Sequence, residues 1–135
     1  MRFILKAKPR ILSVSVTLVS ALLTQNLSAS ECDLEYAKSV YTKCALCHSL
    51  EAGRHMMGPS LYNIVGAKAG SAEGYRYSIP MRTTDIVWSE NELDRFIESP
   101  MQFLPGTSMP FAGIRNEVDR AALLCLLSKS NKSEE

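Results

Sequence analysis

The chain has 135 residues, of which 46% are hydrophobic and 21% are charged, with 15 basic and 14 acidic side chains. Residues 1–30 contain four of the basic residues and none of the acidic ones, so residues 31–135 have a net charge of −3. This length predicts one small domain. The acidic balance excludes a basic nucleic-acid-binding protein, and no nucleic-acid partner is expected.

Residues 1–30 have the three parts of a secretory signal peptide. A basic start, which contains Arg2 and Arg10, precedes an apolar run over residues 11–23, and small residues follow at 26–30. The apolar run is short and diluted by serines, which disfavours a membrane span. We therefore predict export to the periplasm and a domain over residues 31–135. Retention of the leader as an uncleaved anchor is the alternative.

Residues 44–48 read Cys-Ala-Leu-Cys-His, the arrangement that attaches a c-type haem. Cys44 and Cys47 are three residues apart, so on a helical turn both thiols can reach one edge of a porphyrin. His48 follows at once and is placed to bind the iron as the proximal ligand.

The same five residues could instead be half of a zinc site or a thioredoxin-like redox pair. A zinc site needs a second pair of ligands, and the other cysteines and the other histidine lie far apart in the sequence: Cys32, His55 and Cys125. A thioredoxin-like pair needs a preceding strand, which the flanking sequence does not predict. A haem site is therefore the favoured interpretation.

Three helices are predicted, and no strand. Apolar spacing indicates helices over 33–44, 88–99 and 116–129, and residues 101–104 form one further short turn. Ser89 and Glu92 are placed as a capping box, and Pro100 ends the second helix. Five of the seven glycines fall between residues 53 and 74, which predicts a loop. Residues 78–87 are predicted to be irregular.

Two loops carry further candidate site residues. Pro59 has a free carbonyl but no N–H, and a carbonyl is what the second nitrogen of a haem-ligating histidine needs to fix its orientation. Met109 lies in a loop held by Pro105, Gly106 and Pro110, and a thioether suits haem iron. The chain has six methionines, and the residues alone leave the choice among them open.

Taken together, these pieces resemble the class I cytochromes c, of the mitochondrial cytochrome c and bacterial cytochrome c2 type. The resemblance covers residues 33–129, through the motif at 44–48, Gly-Pro-Ser-Leu-Tyr-Asn-Ile-Val-Gly at 58–66, Tyr77, Trp88 and Pro-Gly-Thr-Ser-Met-Pro-Phe-Ala-Gly-Ile at 105–114. It implies an all-α fold in which the N- and C-terminal helices cross around a single covalently bound haem c.

The resemblance also implies roles for individual residues. It makes Met109 the sixth iron ligand and Pro59 the acceptor for His48. Thr107, Tyr77 and Trp88 would hydrogen-bond near the haem propionates. His55 matches a histidine that braces a loop, not a ligand.

The implied function is that of a one-electron carrier, not an enzyme. The protein would be a monomer that meets reductase and oxidase complexes at the exposed haem edge, and it would meet the membrane only through them. The alternatives are an anchored domain or subunit of a larger redox complex, or a haem peroxidase or gas sensor, which would need an open sixth position.

Several residues depart from the family pattern. Ala67 replaces an arginine that usually balances a propionate, and Phe96 replaces a tyrosine that often points at the methionine sulfur. The family's ring of lysines around the haem edge is reduced to Lys43, Arg54 and Arg115. These changes predict a less charged, more apolar docking face with weak electrostatic steering.

Cys32 and Cys125 lie outside the haem motif, on the two helices that cross in this family. An oxidising compartment would allow them to form a disulfide. The alternative is a buried, unpaired Cys125 that acts as a small apolar residue, with Cys32 free at the N-terminus.

Overall fold

A computed structural model describes residues 32–130. The predicted signal peptide and the C-terminal five residues lie outside this range. Within this range five helices occur in chain order: α1 Leu34–Ala45, α2 Ile79–Thr83, α3 Glu90–Glu98, α4 Pro100–Phe103 and α5 Glu117–Ser130. Between residues 32 and 130 there is no strand, and one isolated antiparallel bridge joins Lys68 to Val87. The predicted all-α class is confirmed.

Helix α1 begins where the sequence predicts. The side chain of Asp33 accepts a hydrogen bond from the backbone N–H of Tyr36 at 3.0 Å and so caps the first turn. Ala37 and Val40, three residues apart, are buried on one face of the helix. This face packs against α5, which confirms the predicted pairing of the first and last helices.

Helix α5 is capped by Asn116, whose Oδ1 accepts hydrogen bonds from the N–H groups of Val118 and Asp119. Three leucines form its buried face: Leu123, Leu126 and Leu127. The other apolar residues of the run are half-buried or exposed, so the helix is less buried than its composition suggests. Besides α1, α5 also packs against α3.

A disulfide bond joins Cys32, just before α1, to Cys125 in α5. Their Cα atoms are 6.1 Å apart, inside the range that a disulfide spans. Of the two alternatives that the sequence leaves open, a disulfide or two unpaired cysteines, the structure adopts the disulfide. It fixes the start of α1 to the helix that α1 crosses.

Helix α2 differs from the prediction of an irregular stretch over residues 78–87, which lack a helical pattern of apolar residues. Pro80 lies in its first turn, where the fixed φ of proline favours a helix and its missing N–H costs nothing. Met81 is the buried residue of this single turn. A helix of five residues is too short to show a periodic pattern of apolar residues.

The predicted capping box of α3 forms only in part. The Ser89 hydroxyl accepts a hydrogen bond from the N–H of Glu92 at 3.1 Å. The reciprocal bond does not form, since the N–H of Ser89 donates to the carbonyl of Val87 and the Glu92 carboxylate pairs with Arg95. The first turn therefore keeps one of the two predicted caps.

Arg120 is the buried charged side chain of α5, with 7% of its surface exposed. Its guanidinium donates to both carboxylate oxygens of Asp94 in α3, at 2.7 and 3.3 Å. It also donates to the carbonyls of Ile114 and Arg115, at 3.1 and 3.0 Å. One planar cation thus ties α5 to α3 and to the segment that leads into α5.

Among residues 32–130 we find no helix with the length and apolar character that crossing a membrane requires.

Candidate functional site

The C-terminal end of α1 presents the Cys-Ala-Leu-Cys-His motif. The helix closes in a turn in which the N–H groups of Cys47 and His48 both donate to the carbonyl of Cys44, at 3.0 and 2.9 Å. This turn brings Cys44, Cys47 and His48 to the wall of one cavity. Both thiols are half-buried and unpaired.

The imidazole of His48 is held in one orientation. Its Nδ1 lies 2.6 Å from the carbonyl of Pro59. Because a carbonyl can only accept, Nδ1 carries the proton, which leaves the lone pair on Nε2 free for a metal. Gly58 packs against the same ring, and a Cβ added there would lie 2.7 Å from Nδ1, so only glycine leaves room for the imidazole.

Burial changes the acid–base properties of the motif. It lowers the pKa of His48, although the hydrogen bond to the Pro59 carbonyl opposes this change. The neutral imidazole, which is the form that binds a metal, is thereby favoured near neutral pH. Burial also raises the pKa of the Cys44 thiol to about 11.

The cavity has a volume of about 780 Å³ and a mostly apolar wall. All eight site residues predicted from the sequence line it: Cys44, Cys47, His48, Pro59, Tyr77, Trp88, Thr107 and Met109. Residues from five separate segments of the chain are therefore brought together around one space. A volume of this size is in the range of pockets that bury large organic ligands.

Met109 reaches the cavity from the loop between α4 and α5. The N–H of Thr107 donates to the carbonyl of Leu104, and the N–H of Phe111 donates to the carbonyl of Met109 at 2.9 Å. Gly106 has a φ of +84° and packs against the ring of Pro80, so the loop turns at a residue that tolerates this backbone conformation. The thioether is half-buried and packs against the hydrophobic core.

The buried part of the wall contains neutral polar groups. Tyr77, Trp88 and Thr107 line it, and burial raises the pKa of the Tyr77 hydroxyl. Ser78 was not predicted from the sequence. Its Oγ is buried, lines the cavity wall, and is the one buried side-chain polar atom without a partner among residues 32–130.

His55 braces a loop, as the resemblance implies. Its Nδ1 accepts a hydrogen bond from the N–H of Ser60 at 3.0 Å, and its Nε2 lies 2.8 Å from the carbonyl of Glu73. Both ring nitrogens are therefore used within the protein. His55 does not line the cavity.

Two of the departures from the family pattern lie in the cavity wall. Ala67 lines it, and so does Phe96, whose ring packs against Trp88 with the ring centroids 5.0 Å apart. Phe96 has no hydroxyl to offer a ligand. Lys43 and Lys68 are the charged side chains that line the cavity.

Known proteins resemble this chain over most of its length. The cytochrome c2 of Rhodomicrobium vannielii is 34% identical over 118 residues, which cover 86% of this chain and 94% of that protein. The cytochrome c of Theileria parva is 40% identical over 96 residues, 70% of this chain and 83% of that protein. No family model matches the chain.

A solved structure supports the same relationship. Cytochrome cH from Methylobacterium extorquens superposes with a TM-score of 0.67 at 28% identity, over 72% of this chain and 98% of that one. The chain is a class I cytochrome c. As a member of this family it carries one covalently attached haem c and transfers electrons to and from redox partners, and it is not an enzyme.

The cavity of this cytochrome c fits a haem on the chemistry of its wall. It has two thiols, an imidazole with a free lone pair and a thioether, set in an apolar surface. The unpartnered hydroxyl of Ser78 fits a haem propionate, because a buried donor requires an acceptor. No sequence pattern marks Ser78, which directly precedes the single turn of α2.

Proposed function

We propose that Cys44 and Cys47 would attach the haem and that His48 and Met109 would bind its iron. Each thiol would add across one vinyl group, so that no atom is lost. The observation that carries the proposal is the geometry of His48. Its Nδ1 is committed to the Pro59 carbonyl, and its ring lies in the same cavity as both thiols and Met109.

Four further polar residues of the wall would hold the propionates. Tyr77, Trp88 and Thr107 carry donors in the buried part of the cavity, and Ser78 has an unpartnered hydroxyl there. These four groups are uncharged. They can satisfy a carboxylate by hydrogen bonding without adding a cation.

When bound, the haem supplies a one-electron iron couple. The chain's residues hold both sides of the iron site in place: Pro59 and Gly58 fix His48, and the hydrogen bonds at Thr107 and Phe111 shape the loop that carries Met109. With the same residues in place in both oxidation states, little has to move on transfer. The apolar wall excludes water and disfavours the additional positive charge of the oxidised state.

We further propose that the protein works in the periplasm as a soluble monomer and carries electrons between a reductase and an oxidase complex. The predicted signal peptide supports export, and the Cys32–Cys125 disulfide suits an oxidising compartment. N-terminal sequencing of protein from the periplasmic fraction should show a start near residue 30. An intact leader in the membrane fraction would instead support the anchored form.

Substitution of the proposed sixth ligand tests the assignment. Purified ferric protein should show the weak absorption band of a sulfur–iron bond, and Met109→Ala should abolish it. Met101→Ala is the matched control, since 54% of Met101 is exposed and it does not line the cavity. Its band should be unchanged. A band that survives in Met109→Ala would contradict the assignment.

Carbon monoxide provides the second test. The native ferrous protein should not bind it readily, because Met109 occupies the sixth position, whereas Met109→Ala should bind it. Ready binding by the native protein would support a gas sensor or peroxidase instead.

A further inference from the structure

The exposed rim of the cavity is apolar. Leu46 and Met57 line the cavity and yet expose 76% and 75% of their surfaces to solvent. Pro110, next to Met109, is a third exposed apolar residue of the lining. We call these three residues the apolar rim. Large exposed side chains around a functional cavity are characteristic of a surface that binds another molecule.

Three positive side chains in or near the cavity wall are paired within the protein. Lys43 pairs with Asp119 at 3.2 Å, and Lys68 pairs with Asp85 at 3.2 Å. Arg54, close to the rim in sequence, pairs with Glu51 at 2.6 Å. No aspartate or glutamate among residues 32–130 lines the cavity. A charged partner therefore finds little net field to follow at this surface.

We propose that the apolar rim docks an electron-transfer partner whose own contact surface is apolar and uncharged. This inference rests on the proposed function, because electron transfer requires the partner to approach the haem cavity. Two features favour a protein partner of this kind. Both lysines that line the cavity are already paired, and methionine is enriched at protein interfaces, where its flexible side chain adapts to the opposing surface. Burial of apolar surface then holds the complex, and charge contributes little to encounter.

The experiment measures how fast the reduced, haem-containing protein is oxidised by respiratory membranes of the source organism. Between about 10 and 300 mM salt the second-order rate constant should change by less than about threefold, whereas a charge-steered encounter falls steeply over this range. Leu46→Lys and Met57→Lys should each lower the rate constant about tenfold or more, because each would bury an ammonium group in the interface.

Ile79→Lys is the matched control. Ile79 is 67% exposed, close to the exposure of Leu46, but it does not line the cavity. The same charge change there should leave the rate constant within about twofold of the unaltered protein, as is usual for substitutions outside an interface. An equal loss at all three positions would overturn the proposal, because net charge and not the rim would then control the rate.

Further outcomes separate this inference from the proposed function. Oxidation by benzoquinone, a small neutral probe, should be the same in all four proteins. If the unaltered protein reacts with neither benzoquinone nor membranes, both proposals fail. A steep fall in rate with salt overturns the apolar docking alone and indicates an acidic partner. Concentration-dependent dimerisation that Leu46→Lys abolishes also overturns it, because a second copy would then occupy the rim.

Discussion

The contact between Gly58 and His48 shows how one missing side chain can set the orientation of a functional group. The histidine ring occupies the space that a Cβ at residue 58 would need. The hydrogen bond between Nδ1 and the Pro59 carbonyl fixes the rotation of the ring. Two adjacent residues of the sequence therefore place the imidazole, one by its small size and the other by its backbone oxygen.

We expect Gly58→Ala to displace the imidazole. Crowding of this kind costs about 1–3 kcal/mol in the free energy of unfolding, and the sulfur–iron band of the ferric protein should weaken as the opposite ligand shifts. Thermal unfolding and the visible spectrum measure the two effects.

Gly53→Ala is the control for this substitution. Gly53 has a φ of +67° with open space around it, so alanine should cost about 1 kcal/mol in backbone strain and leave the band unchanged. A normal band in Gly58→Ala would show that the histidine has room to move.

At the scale of residues, the sequence predicted the composition of the site well. The eight predicted residues line one cavity. Six belong to the motifs at 44–48, 58–66 and 105–114, whereas Tyr77 and Trp88 follow from the resemblance alone. Ser78 was missed because a serine hydroxyl acquires significance only through burial, and its burial follows from contacts distant in sequence. The individual roles of the eight residues remain predictions.

Helices α1 and α5 are linked on their exposed side by a hydrogen-bonded cluster. The Tyr36 hydroxyl of α1 donates to Oδ1 of Asp119 in α5 at 2.5 Å, and the Lys43 ammonium donates to Oδ2 of the same carboxylate at 3.2 Å. The bond from Tyr36, and after it the bond from Lys43, lowers the pKa of Asp119. This contact depends on the ionised carboxylate.

Tyr36→Phe should therefore lower the melting temperature in a pH-dependent way. A carboxyl whose pKa is lowered by folding stabilises the protein above its ordinary value of 3.8, and the stabilisation disappears as the pH falls through the lowered value. The difference in melting temperature between the unaltered protein and Tyr36→Phe should be constant from about pH 5 to 8 and should disappear at lower pH. Thermal unfolding monitored by circular dichroism measures it.

Tyr75→Phe is a matched control for the pH dependence. Its hydroxyl donates to the backbone carbonyl of Met57 at 2.7 Å, an acceptor that does not titrate. The loss in melting temperature should therefore be independent of pH. If the loss in melting temperature for Tyr36→Phe is equally constant down to pH 3, the hydrogen bond to Asp119 contributes nothing to the coupling of the helices.

Long helices with capping residues were the elements that the sequence predicted best. Asp33 and Asn116, the first residues of two predicted helices, cap α1 and α5, and α3 keeps the Ser89 cap. The predicted hydrogen bond from the Ser89 N–H to the Glu92 side chain was wrong, because the Glu92 carboxylate pairs with Arg95 instead. Helix α2 was missed because one turn is stabilised by its surroundings and carries no periodic pattern.

At the scale of the whole molecule, the Cys32–Cys125 disulfide closes a loop with a sequence separation of 93 residues. Restricting the unfolded chain in this way corresponds to about 4–5 kcal/mol of stability in the chain-entropy model. The double variant Cys32→Ser/Cys125→Ser should therefore have a free energy of unfolding that is lower by this amount, and it should unfold at a lower denaturant concentration. Equilibrium unfolding in guanidinium chloride measures it.

Reduction of the unaltered protein is the control for the double variant. A thiol reductant should produce the same loss in the unaltered protein and none in the variant, because the two remaining cysteines are proposed to be bound to haem as thioethers. Equal unfolding midpoints for the oxidised protein and the double variant would show that the disulfide does not stabilise the fold. Mass measurement after alkylation, with and without reductant, checks that the bond is present.

The same bond makes a covalent ring of residues 32 to 125, which includes nearly all of the described chain. After a protease cuts once in the glycine-rich loop, the two fragments would therefore remain joined by the disulfide, and the mass would increase only by one water. Two fragments would separate on a gel only after thiol treatment. If the haem is attached at Cys44 and Cys47 as proposed, its absorbance would be found on the N-terminal fragment.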